Sequence, residues 1–349
     1  MKVLVCGGGP AGLTTALLLR RSAPAHEVVV LERAARDTSV GWGLTFPLKT
    51  FAGVDACLAL PATEVKGPPR VLHDGEVVAA ADHLRFETIG RSVLVDALRE
   101  RCVELGVRLE YEIAVERADD PRLEPYDLVV VADGAASLLR GTLDLGTSVL
   151  PGESRFVWLA TPHLFDHLSI MVQDTRDGGY LAWAYAYSAQ LSTFIVECSE
   201  ATWAAAGLAR RSPDETCAHL AEVFRDVLAG APLLHGGSMR WRQFPTVRNR
   251  RWYHGKLVLV GDAAHTAHYS TGSGTSEAIR DAVCLCAALE RAALPEALAS
   301  YQRIRQAEVE RVQHSATAWM LASEQLLEVA DAGGAPAVRT LLLRAAARA

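Results

Sequence analysis

Six residues near the start of the chain, Gly7-Gly8-Gly9-Pro10-Ala11-Gly12, constrain its fold more than any other feature. They satisfy G-x-G-x-x-G, follow the β-branched run Val3–Cys6 and open the helical pattern Ala11–Arg21. A second strand pattern, Glu27–Leu31, completes a βαβ start, and Glu32 stands twenty residues after Gly12. The glycines permit a tight turn and let backbone approach a pyrophosphate, whose charge the helix N-terminus favours. A carboxylate at the end of the second strand accepts hydrogen bonds from ribose hydroxyls. The pattern predicts a dinucleotide cradle on a parallel sheet, and by itself does not separate NAD from FAD.

A chain of 349 residues suggests about two domains. Half of it is apolar and 22% is charged, enough to build a sizeable core and to exclude general disorder. The net charge of −6, without blocks of like charge, argues against nucleic acid or an anionic membrane as the main partner. Seven cysteines without metal spacing fit a reducing compartment. No stretch reaches the roughly 20 apolar residues of a membrane span. The basic, apolar N-terminus is interrupted by glycines rather than shaped as a leader, so a cytoplasmic protein is expected.

Further along, the pattern predicts a helix near Lys49–Leu60, an amphipathic helix over Arg91–Leu105 and a buried strand over Tyr126–Ala132. Successive strands follow at Phe156–Ala160, Leu168–Val172, Tyr180–Tyr187 and Leu191–Glu197. They lack long crossover helices, which predicts an antiparallel sheet. Helices near 200–207 and 213–228 lead to strands at Ser238–Phe244 and Lys256–Val260, then to Ala-rich helices over 274–329 and a short helix within 335–347.

Two further motifs sit at strand ends. Asp133-Gly134-Ala135-Ala136-Ser137-Leu138-Leu139-Arg140 follows the Tyr126–Ala132 strand. Gly261-Asp262-Ala263-Ala264-His265 follows the strand ending at Val260, with Gly272-Ser273-Gly274 opening the next helix.

On these three motifs, in this order, the chain resembles the single-component FAD-dependent aromatic hydroxylases with the p-hydroxybenzoate hydroxylase fold, over roughly residues 1–325. The runs GWG (41–43), FVWL (156–159), LFD (164–166), STFIVE (192–197) and GDAAHTAHYSTGSGT (261–275) are similar to a subgroup within it. That subgroup holds the salicylyl-CoA and anthraniloyl-CoA hydroxylases and the tryptophan hydroxylase of violacein biosynthesis. The run STFIVECSEATW carries no catalytic logic of its own and serves only as a fingerprint.

The resemblance implies an α/β fold: a Rossmann-type FAD-binding domain with an inserted, mostly antiparallel substrate sheet and C-terminal helices. The FAD domain would be discontinuous, over 1–60, 90–150 and 245–330, with the substrate sheet at 61–89 and 151–244 and a terminal helix in 331–349. Gly7, Gly9, Pro10, Ala11 and Gly12 would hold the pyrophosphate, and Glu32 the adenosine ribose. Arg33, Gly43, Arg91, Asp133, Gly134, Gly261 and Asp262 are further cofactor candidates, Asp262 for the ribityl hydroxyls. The amides of Gly272, Ser273 and Gly274 would face the N1/C2=O edge of the flavin. Leu44, Trp183, Tyr185, His268 and Tyr269 are candidate substrate contacts, His268 and Tyr269 also candidates for a catalytic role, and His265 reads as a packed structural histidine.

The implied reaction consumes NAD(P)H as a transient co-substrate and O2, and oxygenates an electron-rich aromatic ring through a C4a-hydroperoxyflavin, with no metal. An aromatic acyl-CoA thioester is the expected substrate. The alternatives are a tryptophan or indole hydroxylase, an epoxidising or decarboxylating oxygenase, and a flavin-dependent halogenase or reductase. The W-x-W-x-I-P motif of the halogenases does not occur. Trp183, Ala186 and Ser276 stand where the subgroup usually has His, a basic residue and often Lys, which points to a reshaped or less charged substrate site. A monomer or homodimer is expected, and from the length a stand-alone, single-cofactor oxygenase is expected.

Overall fold

The computed structural model describes residues 1–38, 41–47, 62–80, 85–237 and 239–331. The expected helices near Lys49–Leu60 and within 335–347 lie outside these residues.

The βαβ start folds as its pattern predicts. Lys2–Cys6 lies inside a six-stranded sheet, parallel to Glu27–Glu32 on one side and Leu128–Val131 on the other. Arg108–Tyr111 extends the sheet beyond Glu27–Glu32, and Leu257–Leu259 and Tyr253–His254 extend it beyond Leu128–Val131. The central strands are unbroken apolar runs because helices cover the sheet. The Pro10–Ser22 helix packs on Gly274–Arg291 and on Arg91–Glu104.

A second sheet runs Arg242–Asn249, Thr147–Thr161, Ser192–Cys198, Gly178–Ala186, Ser169–Thr175, Arg70–His73 and Glu76–Ala80. It is antiparallel except where Arg70–His73 joins Ser169–Thr175. Alternation sends successive side chains to opposite faces. Tyr180, Ala182 and Ala184 pack in a core with Phe224 and Leu228, whereas Leu181, Trp183 and Tyr185 pack towards Leu326, Leu327 and Ala330. Three short strands, Gly43–Pro47, Phe86–Gly90 and Thr63–Glu64, form a third sheet.

Two local expectations shift. The strand expected at Ser238–Phe244 runs instead over Arg242–Asn249. It is an edge strand, so Pro245 is tolerated inside it, opposite Pro151. The helix expected at 213–228 divides at Phe224 into Pro213–Val223 and Arg225–Leu228.

The last described helix, Leu294–Asp331, has 38 residues and is about 57 Å long. Leu298, Tyr301 and Val309 belong to the first core, and Leu326, Leu327 and Ala330 to the face of the second sheet. Its final residue, Asp331, accepts hydrogen bonds from Gly179 N and from the Ser199 and Thr202 hydroxyls. The helix thereby ties the two sheets together. No helix among the described residues is long and apolar enough to cross a membrane.

Candidate active site

A cavity of about 1260 Å³ opens at the C-terminal ends of the parallel strands and is lined by Gly7, Gly9, Glu32, Arg91, Asp133 and their neighbours. Arg33 and Gly134 also face it, and Arg242 of the second sheet reaches its rim. The turn between Cys6 and Pro10 depends on glycine: a Cβ on Gly12 would lie 2.0 Å from Gly7 O. No side chain caps the Pro10–Ser22 helix, so its first N–H groups are left for a ligand at the strand ends. The space around Gly9 is open.

Glu32 ends the second strand, and two backbone amides orient its carboxylate: Gly8 N donates to Oε2 at 2.6 Å and Ala34 N to Oε1 at 2.8 Å. A carboxylate has about four acceptor positions, so capacity for ribose hydroxyls remains. Asp133 lies at the end of the neighbouring strand. Its Oδ1 is buried without a hydrogen-bond partner among the described residues, and burial raises its pKa against the pull of Ser137. A buried polar atom left unpaired is costly, which fits a donor supplied by a bound cofactor. Arg140, from the same motif, donates to Ala263 O and Ala135 O and so fastens this loop to the one carrying Asp262.

Arg91 opens its helix with its backbone N–H donating to Trp42 O at 2.7 Å. Burial lowers its guanidinium pKa, and the charges of Asp262 and Glu32 raise it. Asp262 keeps a solvent-exposed face although protein atoms crowd its carboxyl. That crowding raises its pKa, and the charges of His265 and Arg91 lower it.

The loop after Asp262 is held from below. Asp281 Oδ2 accepts from Gly261 N and pairs with His265 Nε2, both at 2.8 Å. His265 also stacks on Trp252 at 5.1 Å, so it is packed as the sequence suggests. Gly272 adopts φ +61°, and a Cβ there would press on Thr45 at 3.0–3.1 Å. This places Gly43–Pro47 against the start of the Gly274–Arg291 helix, which again carries no side-chain cap. The Thr45 hydroxyl beside it is buried without a partner among the described residues.

The candidate substrate residues divide into two groups. Trp183 is buried on the second sheet, its Nε1 without a partner among the described residues, edge-on to Tyr269 at 6.4 Å. Tyr269 packs on His268 at 4.1 Å and Phe156 at 5.1 Å, and Phe244 closes on His268 at 5.0 Å. Burial pushes His268 down to about 3, which keeps it neutral, and its Nδ1 is 2.9 Å from the Ser270 hydroxyl. Tyr185 instead donates to Gly43 O at 2.8 Å, while Thr193 Oγ1 accepts from Gly43 N, so this pair pins the Gly43 loop to the sheet. Leu44 packs against the first core.

Sequence reasoning missed several buried charged groups near the site, Asp281, Arg305 and Glu197 among them. Asp281 and Arg305 form an ion pair beneath the Asp262 loop. Glu197, taken with its strand as fingerprint only, accepts from the Tyr269 hydroxyl at 2.6 Å. A carboxylate inside a strand buried on both faces was the available signal.

Residues 114–316 match the family model described as an FAD binding domain. The chain is 40% identical to a salicyloyl-CoA 5-hydroxylase of a Streptomyces species over 90% of its own length, and spans 64% of that relative. It is 37% identical to the 3-hydroxy-4-methyl-anthranilyl-[aryl-carrier protein] 5-monooxygenase of Streptosporangium sibiricum, covering 90% of this chain and 86% of the relative. It is also 33% identical to the protodeoxyviolaceinate monooxygenase of Chromobacterium violaceum, over 83% of this chain and 79% of that one. Among solved structures, 2-methyl-3-hydroxypyridine-5-carboxylic acid oxygenase superposes with a TM-score of 0.74 at 20% identity, covering 93% of this chain and 92% of the other. That likeness speaks for the fold.

Proposed function

Because the chain belongs to the FAD-dependent aromatic monooxygenases, we propose that it uses NAD(P)H and O2 to oxygenate an electron-rich aromatic ring carried as an acyl-CoA thioester. The observation that carries the proposal is the orphaned Asp133 Oδ1 beside an uncapped helix N-terminus, in a chain closely related to named monooxygenases. When bound, FAD supplies acceptance of hydride from NAD(P)H and the activation of O2.

The protein's own groups hold, orient and shield. Gly9 and the amides opening the Pro10–Ser22 helix would take the pyrophosphate, Glu32 the ribose and Arg91 a phosphate oxygen. Asp133 would accept one cofactor donor and Asp262 the ribityl hydroxyls. Gly272 N donates to Tyr269 O at 2.9 Å, so the amides of Ser273 and Gly274, at a helix start without a side-chain cap, would face the N1/C2=O edge, where a helix N-terminus favours negative charge by up to about 2 kcal/mol. Trp183, Phe156, Phe244 and Tyr269 form an apolar wall suited to an aromatic ring and to excluding water. With Trp183 on this wall, the ring contact would be apolar.

The acyl-CoA reading is supported by the relative named for salicyloyl-CoA, and the aryl-carrier-protein relative likewise acts on a carried aryl group. We place the enzyme in the cytoplasm as a monomer or homodimer. Steady-state NAD(P)H oxidation by the FAD-loaded protein tests the substrate. Stimulation by aryl-CoA esters is expected. Stimulation by free tryptophan or indoles, with none by aryl-CoA esters, would overturn it.

A further inference from the structure

One buried ionisable cluster takes no part in the cofactor cradle. Glu197 is 1% exposed, near the end of a strand whose seven residues are all buried. Tyr269 Oη donates to its Oε2 at 2.6 Å, and the Ser154 side chain lies beside it and favours its ionised form. Glu324, on the 38-residue helix, approaches from another side, its Oε1 accepting from Glu153 N at 2.7 Å and Ser154 N at 3.3 Å. Together with Phe156, Phe244 and His268 these groups enclose a space with no room for a water molecule.

Position gives the cluster its interest. Tyr269 begins the single turn Tyr269–Thr271, and Gly272 and the uncapped helix at Gly274 follow directly. Glu197 therefore holds the residue that leads into the proposed flavin edge. Among the described residues, the ionisable groups facing Glu197 are Glu324 from the long helix and Tyr269 and His268 from the turn. Arg155, across the sheet, turns to the opposite face, where it pairs with Glu200 and stacks over Trp203. Leu181, opposite Glu197 on the next strand, carries no charge. Burial pushes the Glu197 carboxyl up to about 7, Tyr269 and Ser154 pull it down, and the charge of Glu324 pushes it up.

We propose that Glu197 is a positioning residue whose protonation switches the orientation of Tyr269. Ionised, it accepts the Tyr269 hydroxyl and locks the ring and the turn beyond it. On taking one proton from solvent, it can donate to Tyr269 Oη instead, and the tyrosine O–H, its bond intact, turns away from Glu197 and no longer locks the ring. The proposal rests on the oxygenase reading for its catalytic consequence, and its protonation step is measurable without substrate.

The test compares wild type, Glu197→Gln and Tyr269→Phe. Infrared difference spectra between about pH 5.5 and 8.5 read the carboxyl without turnover, whether or not flavin is bound. Wild type should lose a protonated-carboxyl band with a midpoint near 7, and E197Q should lack that change. Y269F should shift the midpoint upward, because it removes a hydrogen bond that favours the ionised form. Substrate-stimulated NAD(P)H oxidation should show a step at the same midpoint in wild type and none in E197Q. A carboxyl band that persists in E197Q, an unmoved midpoint in Y269F, or a wild-type pH step in E197Q would overturn the proposal. Y269F carries the spectral test if E197Q does not fold. Failure to bind flavin would contradict the oxygenase reading and leave the spectral result standing on its own.

Discussion

Arg305 Nε donates to Asp281 Oδ1 at 2.8 Å, and both side chains are almost wholly withdrawn from solvent. The second oxygen of Asp281 holds Gly261 N and His265, and Arg305 also pairs with Glu277 at 2.6 Å. One arginine on the long helix thus fixes the helix opened by Gly274 and the loop carrying Asp262. Asp281 is held below the usual carboxylate range despite burial, by the charge and hydrogen bond of His265 and by Arg305. Removing one partner of such a pair leaves an uncompensated buried charge. Arg305→Leu should therefore cost about 3–5 kcal/mol, read from urea unfolding. A loss below about 1 kcal/mol would mean that the network contributes little.

Two glycines of the first motif should fail in different ways. A Cβ on Gly12 meets Gly7 O at 2.0 Å, so Gly12→Ala should disturb the strand–turn–helix junction and lower Tm. Gly9 has open space around it and an ordinary φ of −83°, so Gly9→Ala should fold normally. Its methyl would nevertheless stand where backbone must approach the pyrophosphate. Unchanged Tm with weakened FAD binding in G9A is the expected pattern, measured by thermal melts and flavin titration.

Asp262→Ala should weaken FAD binding by about 10- to 100-fold, the loss of roughly 1.5–3 kcal/mol for hydrogen bonds to a charged group. Fluorescence titration of the apoprotein checks this. Wild-type affinity in D262A would contradict the assignment to the ribityl hydroxyls.

Stability should respond to pH through two buried groups acting in opposite directions. Glu197 rises from 4.5 to about 7 on folding, so its contribution is complete below pH 4.5 and is lost as pH rises through 7. The cost of ionising it in the folded chain is roughly 3 kcal/mol. His268 falls from 6.5 to about 3, so its contribution is complete above pH 6.5 and is lost as pH falls towards 3. Unfolding free energies measured from pH 4 to 8 should show E197Q gaining on wild type as pH rises. His268→Asn should gain on wild type as pH falls. Parallel curves for all three proteins would contradict the burial argument.

Much of the fold and of the cofactor cradle is legible in the sequence. The Val3–Cys6 strand, its glycine turn and Glu32 are local features, fixed by β-branched residues, small residues and short spacing. Asp133 and Asp262 were legible because each ends an apolar strand. The Arg242–Asn249 strand was misplaced because Pro245 interrupts its pattern, and only its edge position makes that proline acceptable. Tyr185, a candidate substrate contact, also holds Gly43 O through its hydroxyl, a partner 142 residues away that the sequence does not reveal. Glu197 and Arg305 were missed for the same reason, since their partners Tyr269 and Asp281 lie 72 and 24 residues away. A buried charge acquires its meaning only when folding supplies its partner.

The most direct test of the central claim is a turnover of the purified, FAD-loaded chain with NAD(P)H under 18O2, with aromatic acids and their CoA esters as substrates. One labelled oxygen atom in the product, with aryl-CoA-stimulated NAD(P)H consumption, is the predicted result. NAD(P)H oxidation that yields only peroxide or unlabelled product from every member of the panel would contradict it.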